Sequence, residues 1–294
     1  MTGATGFVGR RVVDEALAHG HGVAALTRRA QPPRDRVRWV EGALDDAAAL
    51  DRLASACDAL IHIPGVVSAP DRAGFVSGNI EGTRAVVAAA ERAGVARLVH
   101  VSSLSAREPD LSTYGWSKRE AERIVEGSRL AWTIVRPTGV YGPGDTELRD
   151  MFRMARLGVA LLPPPGRVSL VHVDDLAALL VALAERQGAR EMFEVDDGTA
   201  LTHAELAHAI GRAVGRRVLP VHVPRALLAL AARADRALRG TAAKLTPDRV
   251  GYLAHPDWTA DSARRPPPAV WTPQVPTDVG LRDTAAWYRA HGLL

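Results

Sequence analysis

Through the first two-thirds of the 294 residues, short β-branched runs alternate with amphipathic stretches. That alternation is the pattern of a parallel sheet with crossover helices, and it excludes most other folds. A helix is predicted from about Phe7, with Val12, Val13, Ala16 and Leu17 on one face and Gly20 as its stop. Strands are predicted over Gly22–Thr27, Val37–Val40, Ala59–Ile63, Arg97–Ser102 and Leu130–Val135. Asp45 or Asp46 caps the helix after the second strand, and Gly94 ends the long helix that turns Val86, Val87 and Ala90 inward. After Pro137 the character changes. Pro163 to Pro165 form a stiff loop, a strand at Val168–Val173 rejoins the pattern, and Thr202 with Glu205 has the spacing of a capping box. Five prolines lie in Arg264–Pro276, and Trp258, Trp271 and Trp287 predict that this tail is packed.

The turn Thr2-Gly3-Ala4-Thr5-Gly6-Phe7-Val8-Gly9 spaces its glycines as G-x-x-G-x-x-G before the first helix. Glycine is needed where backbone must approach a pyrophosphate and where helix presses on strand, while the helix end offers free N–H groups and a positive dipole end. Such a turn should follow a strand, yet Met1 stands where that strand's last residue belongs. The expectation is an upstream segment of about five or six apolar residues, with a GTG valine codon read as methionine at initiation. An in-frame stop immediately upstream would exclude it. At the end of the second strand an acidic residue would bind the ribose 2′-hydroxyl of NAD. Thr27-Arg28-Arg29 stands there instead, and guanidinium groups favour a 2′-phosphate, so NADP is expected ahead of NAD.

Tyr114 and Lys118 are four apart at the start of a helix that continues through Ala121, Ile124 and Val125, so phenol and ammonium share a face. Free tyrosine, with a pKa near ~10, is a poor base at neutral pH. A nearby ammonium and a cationic nicotinamide ring both favour its phenolate. Of the 37 basic residues only Lys118 and Lys244 are lysines. A compact ammonium can bond ribose hydroxyls and reach a phenol where a planar guanidinium fits differently. Eleven residues before the tyrosine, Ser103 closes a strand, and its hydroxyl is placed to bond a substrate oxygen.

With glycine turn, serine, tyrosine and lysine in this order, the chain resembles the extended, epimerase/dehydratase-like branch of the short-chain dehydrogenase/reductase superfamily. The resemblance covers essentially the whole chain. Asn79-Ile80-Glu81-Gly82-Thr83 looks like the helix segment under the nicotinamide, and Arg136 to Gly144 looks like the loop beside its carboxamide. Val171-His172-Val173-Asp174-Asp175 looks like a later strand-to-helix junction, and His255-Pro256-Asp257-Trp258 is also similar to this branch. The resemblance implies a Rossmann-type doubly wound parallel sheet, its first strand truncated, with a smaller C-terminal substrate-binding α/β region. The implied division is 1–140 plus about 167–187 for the NAD(P)-binding domain, and about 141–166 with 188–294 for the substrate region. It implies Ser103, Tyr114 and Lys118 as catalytic residues. For the cofactor it implies Gly3, Thr5, Gly6, Phe7, Val8 and Gly9, then Arg28, Asp46, Pro64 and Asn79. Tyr114, Lys118, Pro137, Thr138 and Val140 complete that set.

Departures from the pattern narrow the activity. Nucleotide-sugar members often carry Asn where Gly139 stands, and sugar dehydratases follow the active-site hydroxyl with Asp-Glu where this chain has Leu104-Ser105. Pro64 replaces a usual alanine, and Ala43 a common aspartate in Gly42–Asp46. The expected activity is hydride transfer between NADP and a small or hydrophobic alcohol or carbonyl substrate. A sugar epimerase and a non-catalytic NADP-binding module are the alternatives.

Other features exclude classes. His172 with Asp174 and Asp175 is explained by a strand running into a helix cap, and His203 and His208, five apart, diverge on their helix, so no metal is expected. Serine lacks a nucleophile-elbow glycine pattern, which leaves hydrolase chemistry unsupported. Net charge is +4, with 37 bases spread against 33 acids and no basic tract, so nucleic acid is not an expected partner. Cys57, the lone cysteine, reads as an inert buried thiol beside Ala56, and a reducing, cytoplasmic setting is the expectation. No apolar run approaches the ~20 residues of a membrane span. An exposed helix pair offers one route to a homodimer.

Overall fold

The computed structural model describes residues 1–55, 57–64, 66–188, 190–240 and 245–294, so Ala56 and Lys244 lie outside the described residues. In chain order its first elements are α1 (Phe7–Ala18), β1 (Val23–Thr27), β2 (Val37–Glu41), α2 (Ala47–Ala54), β3 (Ala59–His62), α3 (Arg72–Phe75), α4 (Gly82–Ala93) and β4 (Arg97–Val101). Next come α5 (Thr113–Glu126), β5 (Ala131–Pro137), β6 (Gly139–Tyr141), α6 (Arg149–Arg156), β7 (Val159–Leu162), β8 (Arg167–His172), α7 (Val173–Glu185) and β9 (Glu191–Val195). The last are β10 (Ala200–Thr202), α8 (His203–Val214), β11 (Leu219–His222), α9 (Arg225–Arg239), α10 (Pro247–Leu253), β12 (Asp257–Trp258) and α11 (Thr277–Ala290). The chain divides into two units: Met1–Pro137 with Asp174–Val195 and Ser262–Thr272, and Thr138–Val173 with Asp196–Asp261 and Pro273–Leu294.

The first unit is built on parallel strands in the order β3-β4-β5-β9, with β1 and β2 paired parallel beside them. Met1 and Thr2 alone stand between the two groups. The Leu26 amide donates to the Met1 carbonyl at 3.0 Å, and the Thr2 amide donates to Ile61 at 3.0 Å. Val86 and Val87 of α4, expected inward from the period, share one core with Leu50 and Leu53 of α2 and with Leu60, Leu98 and Ile134 of the strands. Asp46, not Asp45, caps α2, accepting from the Ala49 amide at 2.9 Å. Gly94 ends α4 at φ +68°, a left-handed conformation that a side chain would strain.

The second unit forms around β8, which pairs parallel with β6 and β12 and antiparallel with β10. A separate parallel ribbon joins β7 to β11. Phe152, Leu206, Ile210, Leu281 and Tyr288 from α6, α8 and α11 form its core with Tyr141. The capping box at Thr202 and Glu205 forms as expected. Val173, predicted to end a strand, opens α7 instead.

Two further expectations meet the structure. The tail tryptophans are packed: Trp258 is buried, and Trp271 donates its indole N–H to the Asp175 carbonyl at 2.9 Å. The Cys57 thiol, expected buried, is only half-buried, because it sits past the end of α2 and donates to the Leu53 carbonyl at 3.1 Å.

Candidate functional site

The glycine turn closes on itself as its spacing requires. Gly3 adopts φ +73°, and a Cβ there would stand 2.5 Å from the Ile63 carbonyl oxygen. A Cβ on Gly9 would stand 2.0 Å from the Gly3 carbonyl oxygen, so only glycine lets α1 press onto the turn. Gly6 precedes α1 without a side-chain cap, and the first turn, including Phe7 and Val8, carries no acidic residue. The helix end therefore keeps amides and a positive dipole for an anion. The backbone cradle and the uncapped helix end together fit a dinucleotide pyrophosphate. Thr5 lines an open cleft of about 300 Å³ with Arg10, Gln31, Pro32, Arg34 and Trp39. Arg10 and Arg34 were not singled out in the sequence, because the loop that carries Arg34 has no motif. Arg28 is exposed just past β1.

Lys118 is where the sequence feature becomes an energetic one. Its side chain is 2% exposed, and Nζ donates to the Val101 carbonyl at 2.7 Å, at the end of β4 just before Ser102 and Ser103. Burial pushes the ammonium down to about 7, against the upward pull of Glu122 one turn further along α5. Two histidines lie buried on the neighbouring strands, His62 on β3 and His100 on β4, with ring centroids 5.3 Å apart. Burial, then the Lys118 charge, hold His62 down at about 3 and His100 well below the usual imidazole range. Both rings are neutral, so no imidazolium opposes the Lys118 ammonium in this pocket. His62 bonds Thr2 at 2.7 Å and Thr83 at 3.0 Å, whereas neither nitrogen of His100 has a hydrogen-bond partner.

Local sequence explains how α5 meets the strand end. Ser112 caps the helix, accepting from the Gly115 amide at 3.0 Å. A Cβ on Gly115 would stand 2.6 Å from the Ser105 carbonyl oxygen, so the glycine beside Tyr114 lets α5 touch the 3-10 turn Leu104–Arg107 that Ser103 begins. Ser103 accepts from the Ser105 amide at 3.2 Å and donates to the Ser105 hydroxyl at 3.1 Å. Tyr114 is half-buried, its ring 6.4 Å from Phe75 of α3. Asn79 lies in a π-helical stretch, Val76–Glu81, a local distortion common at functional sites. Its amide donates to the Ser117 hydroxyl at 3.0 Å and to the Val66 carbonyl at 2.9 Å, and its Oδ1 is buried without a partner. The helix carrying Tyr114 and Lys118 is thus held from two sides.

A buried ion network, unread in the sequence, locks α5 one turn beyond Lys118. Arg136 of β5 grips Glu122 with two bonds, Nε at 2.8 Å and Nη2 at 2.6 Å, and the Ser102 hydroxyl donates to the same carboxylate at 2.5 Å. Arg119 adds a third charged bond at 3.0 Å. Glu194 of β9 stands 3.7 Å from Arg136 and 3.5 Å from Arg107. The spacing Lys118-to-Glu122 was visible, but Arg136 is eighteen residues past Lys118, and only the sheet brings it there.

The remaining predicted residues distribute plainly. Asp46 caps α2, Pro64 is buried after β3, and Pro137 ends β5 opposite Val195. Thr138, buried, and Val140 of β6 belong to the second unit. In that unit a Cβ on Gly139 would stand 2.8 Å from a terminal methyl of Leu170, a side chain that a larger residue there would have to displace. His172 is buried edge-on against Tyr141, 5.4 Å between centroids. Among the described residues three potential metal ligands converge at His19, His21 and Glu185; all are exposed, and the imidazoles bond the carboxylate at 2.9 and 2.7 Å.

A model of the "NAD dependent epimerase/dehydratase family" matches residues 1–195. The ceramide reductase of Caulobacter vibrioides (strain NA1000 / CB15N) is 37% identical, over 100% of this chain and 95% of that protein. A 3-diazoavenalumate denitrifying reductase from Streptomyces sp is 31% identical over 88% of this chain and 96% of that one. Among solved structures, MoeE5 in complex with UDP-glucuronic acid and NAD has the same fold, with a TM-score of 0.73 and 23% identity over 99% of this chain and 98% of that one.

Proposed function

This chain belongs to the NAD dependent epimerase/dehydratase family, within the extended short-chain dehydrogenases/reductases, and from that premise we propose an NADP-dependent reductase of a carbonyl-bearing lipid of the ceramide class. The observation that carries the proposal is Lys118, a buried ammonium on the helix of Tyr114 and beneath the strand end of Ser103.

Bound NADPH supplies the hydride. The Tyr114 phenol gives its proton to the carbonyl oxygen and regains one from solvent, and positioned acid–base groups of this kind contribute ~10²–10⁴-fold. Lys118 offers positive charge that favours the phenolate left behind. Ser103 donates a hydrogen bond to the same oxygen. Gly3, Thr5, Gly6 and Gly9 with the α1 amides would hold the pyrophosphate, and Asn79, Pro64 and Pro137 of the same unit would border the nicotinamide. Arg28 supports the choice of NADP, with Arg10 and Arg34 as further bases lining the cleft by the turn.

The lipid class rests on the 37% identical relative that carries ceramide in its name. Leu104 and Ser105, both buried, supply no acid or base for dehydration, and Gly139 lacks the amide of the nucleotide-sugar pattern. The test is NADPH oxidation, followed at the nicotinamide band, with an oxidised ceramide and a panel of smaller carbonyls. Tyr114→Phe should lose about 10²-fold or more in kcat while NADPH affinity stays within about threefold. Unchanged turnover in that variant would overturn the assignment. Substrate conversion with no net absorbance change would point to an epimerase, and NADPH binding with no turnover on any substrate to a binding module.

A further inference from the structure

We infer that the second unit seats on the surface of an anionic bilayer through α9 and the β7–β11 ribbon. The inference goes beyond the reductase reading and does not depend on it.

Ten large apolar side chains stand exposed among the described residues, and eight fall in two short segments, 157–161 and 219–238. The first group is the ribbon. Ala160 and Leu162 of β7 enter the core, while Val159 and Leu161 point out, where a half-solvated strand ordinarily carries polar residues. The register sets Val159 opposite Leu219 and Leu161 opposite Val221, so two apolar cross-strand pairs share one outer face. Leu157, 84% exposed, precedes them.

The second group is the helix that follows β11. In α9 only Ala232 is fully buried. Leu227, Leu230 and Leu238 are exposed, the last at 85%, and with Ala234 they recur at intervals of three and four. That spacing draws one continuous stripe along the helix, turned away from the core it should have entered.

Charge decides the occupant. Residues 215–240 hold six arginines, Arg216, Arg217, Arg225, Arg233, Arg236 and Arg239, all exposed, against the single acid Asp235. That acid already bonds Arg239 at 3.3 Å. So one segment concentrates more positive charge than the +4 of the whole chain. A second copy of this chain on the same face would bring like charges together. An anionic leaflet satisfies both features: leucines enter the acyl boundary and arginines reach lipid phosphates along their apolar stems. A lipid substrate would then be met in the same leaflet.

The experiment uses the full chain with neither substrate nor cofactor, co-sedimented with vesicles of equal parts phosphatidylglycerol and phosphatidylcholine, and with phosphatidylcholine alone. The protein should pellet with the anionic vesicles and partition about tenfold less onto the neutral ones. High salt should weaken the binding. Leu227→Ser/Leu230→Ser/Leu238→Ser should reduce partitioning about tenfold or more while NADPH binding and thermal unfolding stay unchanged. Arg233→Gln/Arg236→Gln should reduce the preference for anionic lipid with the fold equally intact. No pelleting, or equal pelleting of wild type and the leucine variant, would overturn the inference. So would a dimer by light scattering that the leucine variant dissolves without any vesicle binding, because a second copy would then cover the face. A failure on vesicles leaves NADPH oxidation untouched, and a failure of the reductase assay leaves the vesicle result standing.

Discussion

The two units depart from the ordinary sorting of residues in opposite directions. The first buries charge: Lys118, Glu122, Arg136 and Glu194 all lie inside it, around a helix whose Tyr114 faces less protected surroundings. The second exposes leucine: its ribbon and α9 turn large apolar side chains outward. Each departure costs stability, since an ion out of water and a leucine left in water both forgo the better environment. What differs is the compensation. Within the first unit the compensation is internal, in Arg136 clamping Glu122 and in the Val101 carbonyl accepting from Lys118. For the exposed leucines nothing in the unit compensates, so their proposed partner is external. Buried charge therefore points to chemistry and exposed apolar surface to association.

That contrast can be broken most sharply at Lys118. Lys118→Met should lose about 10²-fold or more in turnover, yet unfold at a higher temperature near pH 7. The folded ammonium is held at about 7 against an ordinary 10.5. Between those values the unfolded chain binds more protons, so the lysine's unfavourable contribution is complete below pH 7 and relieved as pH rises toward 10.5. Wild-type stability should climb across that window, and the variant's should not. Thermal melts from pH 6 to 10 check it, and a destabilised variant at pH 7 would show that the lysine holds the fold.

Glu122→Ala is the next largest effect and should go the other way. It strips Arg136 of its bidentate partner and Ser102 of its acceptor, and breaking a buried pair costs about 3–5 kcal/mol. Urea unfolding measures it, and a loss below 1 kcal/mol would mean that Arg136 is satisfied by Glu194 alone. The smallest change is His100→Leu. The ring has no hydrogen-bond partner, so its removal should be neutral or stabilise by about 1 kcal/mol. The sign with acid is also defined. Both buried imidazoles are held below the ordinary 6.5, so the stability they allow is present above pH 6.5 and lost as pH falls toward the folded value, about 3 for His62. The variant should lose less on acidification than wild type.

Much of the first unit was legible in the sequence because its signals are local. A glycine triplet, a capping aspartate and a tyrosine four residues before a lysine each report a single turn of backbone. Gly3 and the shared face of Tyr114 and Lys118 follow from that alone, while spacing allows either Asp45 or Asp46 as the cap and the structure selects Asp46. Arg136, Asn79 and His100 were opaque as partners for the opposite reason. Arg136 meets Glu122 only once β5 lies beside α5, Asn79 reaches Ser117 from thirty-eight residues away, and His100 reads as any strand residue until burial removes its solvent. The second unit offered few local signals, and no element was expected from the sequence over the segment that forms α9.

By itself, then, the sequence determined the parallel α/β plan, the glycine turn before α1 and the shared helix face of Tyr114 and Lys118, because these depend on spacing within one element or the turn beside it. The tertiary structure alone decided that Lys118 is buried enough to stand near 7, that Glu122 and Arg136 lock its helix, and that the leucines of α9 face outward. Desolvation and exposure are properties of what lies around a side chain, and one chain segment does not contain its own surroundings.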